Sequence, residues 1–286
     1  MLFITGSESF IGKRLIEICK KNNIKYFGVD TNTKNTLNTK KIDIRNKNLY
    51  KYIPINSTII HLAAISNDKD CNLKPFLCMD VNVNGTLNLI KAAKKKLVKT
   101  FIFASSEWVY GDKRSNLLNE NSDLIIDKKY SLYAQSKIII EKFLDTNRIF
   151  KNINILRFGI IYGSSVKKNW SLIEKIFEKV KNNNDLHIGS KKTARKFIHL
   201  DDLINGILLS IKLKGFNILN LTSNEKISLK QIVEISEKFL QKKIKVIELN
   251  AKEPSIRNIN SIKAQNLLNW KLNIKFKNYI KNLCYK

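Results

Sequence analysis

The stretch Leu2-Phe3-Ile4-Thr5-Gly6-Ser7-Glu8-Ser9-Phe10-Ile11-Gly12-Lys13-Arg14 decides the fold. Leu2, Phe3 and Ile4 form an apolar run, Gly6 and Gly12 bracket a short turn, and Ile11, Leu15 and Ile18 then recur at helical spacing as far as Lys20. The order is strand, tight turn, helix. Such a turn aims backbone N–H groups and the positive end of the helix dipole at one spot, which suits a pyrophosphate. Gly6, Ser9, Phe10, Ile11 and Gly12 are therefore the first candidates for holding a dinucleotide.

Outward from the turn, Lys25 to Val29 form the next short apolar run, and Asp30 closes it 24 positions after Gly6. An acid at the tip of the second strand accepts the hydroxyls of an adenosine ribose. Thr31, Asn32 and Thr33 include no arginine to hold a 2′-phosphate, so NAD is expected instead of NADP. The alternation continues with a short strand at Lys41 to Ile44, a buried strand at Ser57 to Ala64, and a long helix from about Pro75 to Lys96. A strand at Thr100 to Ser105, a helix from about Tyr130 to Arg148 and a strand at Asn154 to Phe158 follow. Six strands separated by helices predict an α/β fold, a doubly wound parallel sheet (Rossmann-like) with its ligand at the carboxyl edge. Residues 1–163, with about 196–215, are expected to form the NAD-binding domain. Residues 164–195 and 216–286, including strands at Phe216 to Leu221 and Lys243 to Leu249, are expected to form a smaller substrate domain with no repeat or low-complexity linker.

Composition bounds the function. In 286 residues no apolar segment approaches the roughly 20 a membrane span needs, and, with the first strand starting at the first residue, no secretory leader is expected. Cys19, Cys71, Cys78 and Cys284 show no CxxC spacing and read as reduced thiols, so a cytoplasmic protein is expected. His61, His187 and His199 lack ligand spacing, and no metal site is expected. The net charge of +28 raises the question of nucleic acid. However, only 7 of the 52 basic residues are arginine, and the lysines are scattered among Asn and Ile as in an AT-rich coding sequence. The expectation is a solvated lysine surface, with no nucleic-acid or membrane partner, whose field draws in a small anion.

The chemistry gathers at the carboxyl edge. Tyr133 and Lys137 are four apart on an expected helix, so both leave one face a turn apart. A nearby ammonium favours phenolate over phenol, and the pair is expected to act as a general base with the tyrosine pKa lowered from about 10. Ser106, at the end of the preceding strand, can hydrogen-bond the substrate oxygen whose proton Tyr133 removes.

These residues carry a resemblance to the extended short-chain dehydrogenase/reductases, the nucleotide-sugar epimerase/dehydratase family, over essentially the whole chain. It rests on Thr5 to Gly12, Asp43-Ile44-Arg45, His61-Leu62-Ala63-Ala64, Asn82-Val83-Asn84-Gly85-Thr86 and Ser105-Ser106-Glu107-Trp108-Val109-Tyr110-Gly111. Tyr133-Ala134-Gln135-Ser136-Lys137, Leu156-Arg157, Tyr162-Gly163, Arg195 to Asp202 and Lys263 to Trp270 extend it. The resemblance implies that Asp43 and Ile44 contact adenine, Leu62, Ala63 and Ala64 lie along the cofactor, and Asn82 sits near the nicotinamide. It further implies that Lys137 binds the nicotinamide ribose while Tyr133 takes a proton from a sugar hydroxyl. Arg195, with Arg257 as a second candidate, would hold the sugar nucleotide's phosphate. A homodimer through the helices near residues 75–96 and 130–148 is also implied.

Three positions depart from the family pattern. Ser9 replaces the middle glycine of the turn, Ile160 stands where an asparagine often meets the substrate's phosphate, and Glu107-Trp108 replaces the acid pair of the hexose 4,6-dehydratases. Glu107 is either a catalytic acid/base or a strand cap. The expected activity is NAD-dependent 4-epimerisation of a nucleotide sugar through a transient 4-keto sugar. The alternatives are a reductase or dehydratase of the same family, or a non-catalytic dinucleotide-binding protein.

Overall fold

A computed structural model describes residues 1–111, 117–125, 131–163 and 171–285. Strand β1, Leu2–Thr5, is buried at all four positions, as a strand covered on both faces must be. Helix α1, Phe10–Lys21, starts at Ser9 and buries Gly12, Leu15 and Cys19, while Lys20 and Lys21 sit at the end where the dipole favours cations. Strands β2 (Tyr26–Asp30), β3 (Thr39–Lys41), β4 (Thr58–His61) and β5 (Thr100–Ser106) follow. One seven-stranded sheet results, in the order Gly215–Leu221, Asn152–Phe158, β5, β4, β1, β2, β3. The pairs β1–β2, β1–β4, β2–β3 and β4–β5 are parallel. The chain leaves β1 toward one edge and returns to its other side at β4, so the topological switch point lies between β1 and β4.

The α/β doubly wound class holds, with two corrections to the strands. The sheet has seven strands where six were expected. Its outermost member, Gly215–Leu221, is the strand expected at Phe216 to Leu221 in the substrate domain; Asn217 and Asn154 side chains join it to Asn152–Phe158 at 2.9 Å. Residues 196–213 do not return to this sheet as a strand. Ile198–His199 pairs instead with Ile161–Tyr162, and Leu200–Ser210 is helical.

The expected helix over 75–96 is three pieces. Helix α2, Asp68–Leu73, precedes α3, Pro75–Met79, where proline takes the first helical position; a π turn, Asp80–Gly85, then leads into α4, Thr86–Lys95. The wide turn brings the Asn82 amide to the loop after β4. The start expected at Tyr130 lies outside the described residues, and helix α5 runs Leu132–Asn147.

The reading of four reduced thiols is also corrected. Cys71 and Cys78 are joined as a disulfide with Cα atoms 5.0 Å apart, inside the bridging range, and both are fully buried. Their seven-residue separation gave no motif because two separate helices bring them together. Cys19 and Cys284 are free.

The described residues form two compact units, one from Met1–Gly111, Asp123–Arg157 and Ile207–Leu219, the other from Asp112–Ser122, Phe158–Gly206 and Asn220–Lys286. The expected domains divide the chain differently at 112–122, 158–163, 196–206 and 216–219. Leu117–Leu118 joins the second unit by pairing with Asn258–Ile259, and Ile161–Tyr162 joins it through Ile198–His199. The first unit's core sets Phe3, Ile59, Phe101 and Ile155 against Leu89, Ile140 and Leu144, with Phe101 stacked on Phe150 at 5.0 Å. The second unit packs α6 (Leu172–Lys181), α7 (Leu229–Leu240) and α8 (Phe276–Leu283) through Phe177, Ile232, Phe276 and Ile280. Among the described residues no helix is long and apolar enough to cross a membrane.

Candidate active site

The β1–α1 turn is built for close approach. Gly6 has φ +72°, and a Cβ there would meet the Ala63 nitrogen at 2.7 Å; a Cβ on Gly12 would meet the Gly6 carbonyl oxygen at 2.2 Å. Only glycine fits either place. Ser9, where the family usually has glycine, turns its hydroxyl into the helix as N-cap and accepts the Gly12 N–H at 3.0 Å. The first turn of α1 carries no acidic residue to neutralise the positive helix end, and the Ser7 hydroxyl is buried there with no hydrogen-bond partner. Asp30 ends β2 with its carboxylate fixed by the Glu8 N–H at 3.0 Å and the Asn32 N–H at 2.9 Å. A cradle closed to side chains, a helix N-terminus and an acid at the second strand tip fit a dinucleotide.

Asp43 and Ile44 follow β3 in a loop instead of ending a strand. The Asp43 carboxylate is gripped by Arg45, which holds its pKa below the usual carboxylate value, and Arg45 also reaches Asp80 at 2.8 Å. Ile44 is buried, and its carbonyl accepts Asn88 Nδ2 at 2.7 Å.

Counting protons fixes a polar relay under the switch point. Thr86 Oγ1 donates its only hydrogen to the Asn82 carbonyl at 2.7 Å, so it can only accept from His61 Nε2 at 2.8 Å. His61 Nδ1 then carries the lone pair and accepts from Thr5 Oγ1 at 2.6 Å, while Thr5 Oγ1 accepts the Ala63 N–H at 3.3 Å. Burial, with Lys137 adding to it, pushes His61 down to about 3, in keeping with a neutral ring. Asn82 accepts the Ile65 N–H at 2.8 Å and donates to the Ile65 carbonyl at 3.0 Å and to Ser136 Oγ at 3.1 Å. The relay thus ties Leu62, Ala63 and Ala64 to β1 and, through Asn82, to α5.

Tyr133 and Lys137 lie in the first turns of α5, capped by Ser131. Ser106 ends β5, accepts the Trp108 N–H at 3.3 Å and is hydrogen-bonded to Tyr133. Lys137 is 4% exposed and donates to the Ala104 carbonyl at 2.9 Å, with its ammonium 5.5 Å from the Tyr133 ring centre. The expected depression of the tyrosine pKa is not what this arrangement gives. Burial pushes Tyr133 up to about 12 against the Ser106 hydrogen bond, and burial pushes Lys137 down to about 8 against the Glu141 charge. Desolvation disfavours whichever form is charged, and at Tyr133 it outweighs the Ser106 hydrogen bond. Glu107 is 2% exposed and opens the short 3₁₀ turn Glu107–Tyr110.

Arg195 and Arg257 come together within the second unit. The Arg257 N–H donates to the Ala194 carbonyl at 3.2 Å, and Arg195 Nη1 donates to that same carbonyl at 2.8 Å while also gripping Ser255. Both are buried. Ile160 packs into the second unit's core cluster. Sequence reasoning missed Glu141 as a site residue. It is a buried acid four positions after Lys137 on an apolar stretch, and that placement was the available signal.

The family model described as "NAD dependent epimerase/dehydratase family" matches residues 2–221. A UDP-glucuronate 4-epimerase of Thermodesulfobacterium geofontis is 29% identical over 273 residues, 94% of this chain and 80% of that protein. Among solved structures, a Thermotoga maritima UDP-glucose 4-epimerase with UDP-glucose has a TM-score of 0.86 at 19% identity, covering 98% of this chain and 96% of the other. A Bacillus cereus UDP-glucuronic acid 4-epimerase in complex with UDP-glucuronic acid and NAD has a TM-score of 0.83 at 23% identity, with the same coverage. With its cradle, switch point and Tyr–Lys pair in place, the chain belongs to the NAD-dependent epimerase/dehydratase family of enzymes.

Proposed function

We propose that this enzyme interconverts the C4 epimers of a UDP-activated sugar. The observation that carries the reading is the Ser106–Tyr133–Lys137 cluster at the carboxyl end of β5. The 4-epimerases of Thermodesulfobacterium, Thermotoga and Bacillus among its relatives and structural neighbours support it. Gly6, Ser9, Phe10, Ile11, Gly12, Asp30, Asp43, Ile44, Leu62, Ala63, Ala64 and Asn82 would hold NAD, with Tyr133 and Lys137 at its reactive end. When bound, NAD supplies a reversible hydride acceptor and a positively charged ring.

With NAD bound to accept the hydride that leaves C4, Tyr133 would remove the proton of the C4 hydroxyl and Ser106 would steady that oxygen through the developing ketone. Lys137 stabilises the phenolate for as long as it keeps its proton. Arg195 and Arg257 would hold the diphosphate, and Tyr133 would give its proton back to the C4 oxygen when the 4-keto sugar is reduced on its opposite face, which inverts C4. Trp108 follows Glu107 where the hexose 4,6-dehydratases carry a second acid, which favours epimerisation over loss of water.

The test is incubation of the NAD-loaded enzyme with UDP-glucuronate, UDP-glucose and UDP-N-acetylglucosamine in turn, with the products read by NMR. A new C4 epimer without net nicotinamide reduction supports the reading; net reduction points to an oxidoreductase and overturns it. We also propose a homodimer through the helices of 75–96 (α3 and α4) and α5, where Phe76 and Ile139 are 90% and 42% exposed. Light scattering should give twice the chain mass, and a monomer for Phe76→Asp.

A further inference from the structure

The end of β5 is tied to α5 at three consecutive residues. The Ala104 carbonyl accepts from Lys137, Ser105 Oγ donates to Glu141 Oε1, and Ser106 is hydrogen-bonded to Tyr133. Positions 133, 137 and 141 are four apart, so the three side chains rise from one helix face. Glu141 is the foot of this ladder. It is 2% exposed, and Arg157, 3% exposed, clamps it with Nη2 at 2.6 Å from Oε2 and Nε at 3.1 and 3.2 Å from the two oxygens. Arg157 in turn donates to Tyr110 Oη at 2.8 Å.

Stability alone is a poor reason for this pair. Two charges taken from water recover little more than their desolvation cost, and apolar residues of similar volume often serve as well. The pair's position supplies another reason, because it sits directly beneath the residues that would react. We propose that Glu141 is a positioning residue of the reaction: it locks the strand end that presents Ser106 and holds Lys137 in its cationic form beside Tyr133. The proposal rests on the reading of Tyr133 and Lys137 as the reacting pair.

Among the described residues, four charged or titratable groups bear on Lys137 or on its partner Glu141. Tyr133 and Glu141 face it from its own helix, His61 from β4 and Arg157 from the strand Asn152–Phe158 behind Glu141. The Phe103 ring on β5 lies 4.9 Å from its ammonium. His61 is neutral, so Glu141 supplies the negative charge that opposes desolvation at Lys137. Removing it carries the lysine pKa further down, and the rate loss that follows Lys137 deprotonation then begins at lower pH.

The variants are Glu141→Gln, which keeps an acceptor for Ser105, and, if that variant fails to fold, Glu141→Gln with Arg157→Gln, which removes the buried guanidinium that the single variant leaves without its carboxylate. In the NAD-loaded enzyme, the alkaline limb of the kcat profile should move about one unit to lower pH, with KM unchanged. A second measurement needs no turnover. Unfolding free energy across pH, each protein compared with its own Lys137→Met counterpart, reads the Lys137 proton directly: a lysine depressed by folding makes stability rise with pH once its folded pKa is passed. That rise should begin near pH 8 in the parent and about one unit lower in the variants. A folded variant whose limb and onset stay within about 0.3 unit of the parent overturns the proposal. If neither charge variant folds, Ser105→Ala decides: kcat should fall about tenfold with the limb unmoved, and an unchanged kcat overturns it. Should the parent turn over no sugar nucleotide, the reading of the reaction fails, while the onset still reports the hold of Glu141 on Lys137.

Discussion

Replacing His61 with asparagine tests the relay beneath the switch point. His61 must stay neutral in the fold, because Thr5 donates to Nδ1 and protonation would oppose two hydrogens there. Its pKa is about 3 when folded and about 6.5 when the chain is open. Between these values the unfolded chain binds a proton that the folded chain refuses, so stability rises with pH across the window and falls on acidification. At pH 5 the imbalance spans about 1.5 units at about 1.36 kcal/mol each, a loss of about 2 kcal/mol relative to pH 7.5.

His61→Asn removes that loss along with the relay. At pH 7.5 the variant should be less stable by about 1–3 kcal/mol, the cost of a broken buried hydrogen-bond pair. At pH 5 the gap to the parent should shrink by about 2 kcal/mol, because only the parent has a histidine here to titrate. Urea unfolding followed by tryptophan fluorescence at pH 5, 6 and 7.5 measures both. His187, His199 and the carboxylates are common to the two proteins and cancel in the difference. Parallel stability curves would mean that His61 titrates normally in the fold, and the tautomer assignment would fall with it.

Gly12→Ala should abolish NAD binding in calorimetry or weaken it at least about 100-fold, since the new methyl would lie 2.2 Å from the Gly6 carbonyl and the turn must open to admit it. Ser9→Ala removes an N-cap worth about 1 kcal/mol, so the melting temperature should drop by about 2–4 °C with the circular dichroism spectrum unchanged. Tyr133→Phe should cut kcat about 10²–10⁴-fold while NAD affinity measured by calorimetry stays within about threefold, because it removes a proton acceptor and little packing.

Much of the first unit was legible because its signals are local. A strand, two glycines and an amphipathic helix occupy neighbouring residues, and Gly6, Gly12 and Asp30 can be read without knowing what surrounds them. What stayed hidden depends on distant partners. Gly215–Leu221 reads as a strand from its own residues, but only pairing with Asn152–Phe158 decides which sheet it joins. Cys71 and Cys78 meet because the chain breaks at Lys74 between two short helices, a break that a continuous 3.6-residue pattern conceals. Asn82 stands out in the sequence, yet its hold on Ile65 and Ser136 is a property of folded geometry. The tyrosine pKa went the wrong way for the same reason: spacing places an ammonium near Tyr133 but says nothing of the water that folding takes from both.

That desolvation governs how the site can work. At neutral pH a tyrosine near 12 and a lysine near 8 rest as phenol and ammonium, so the pair is assembled but not yet basic. Turning Tyr133 into a base requires further positive charge beside it, and in surroundings this poor in water such charge acts at far greater strength than in solution. The same burial that silences the pair therefore couples its activation to what binds next to it. Lys137 can contribute only while it stays protonated, and among the described residues Glu141 favours this. A site arranged this way loses activity from either side: without Glu141 the lysine gives up its proton too early, and without the ordered β5 end Ser106 no longer lowers the tyrosine. Both losses trace to one buried carboxylate a turn below the reacting groups.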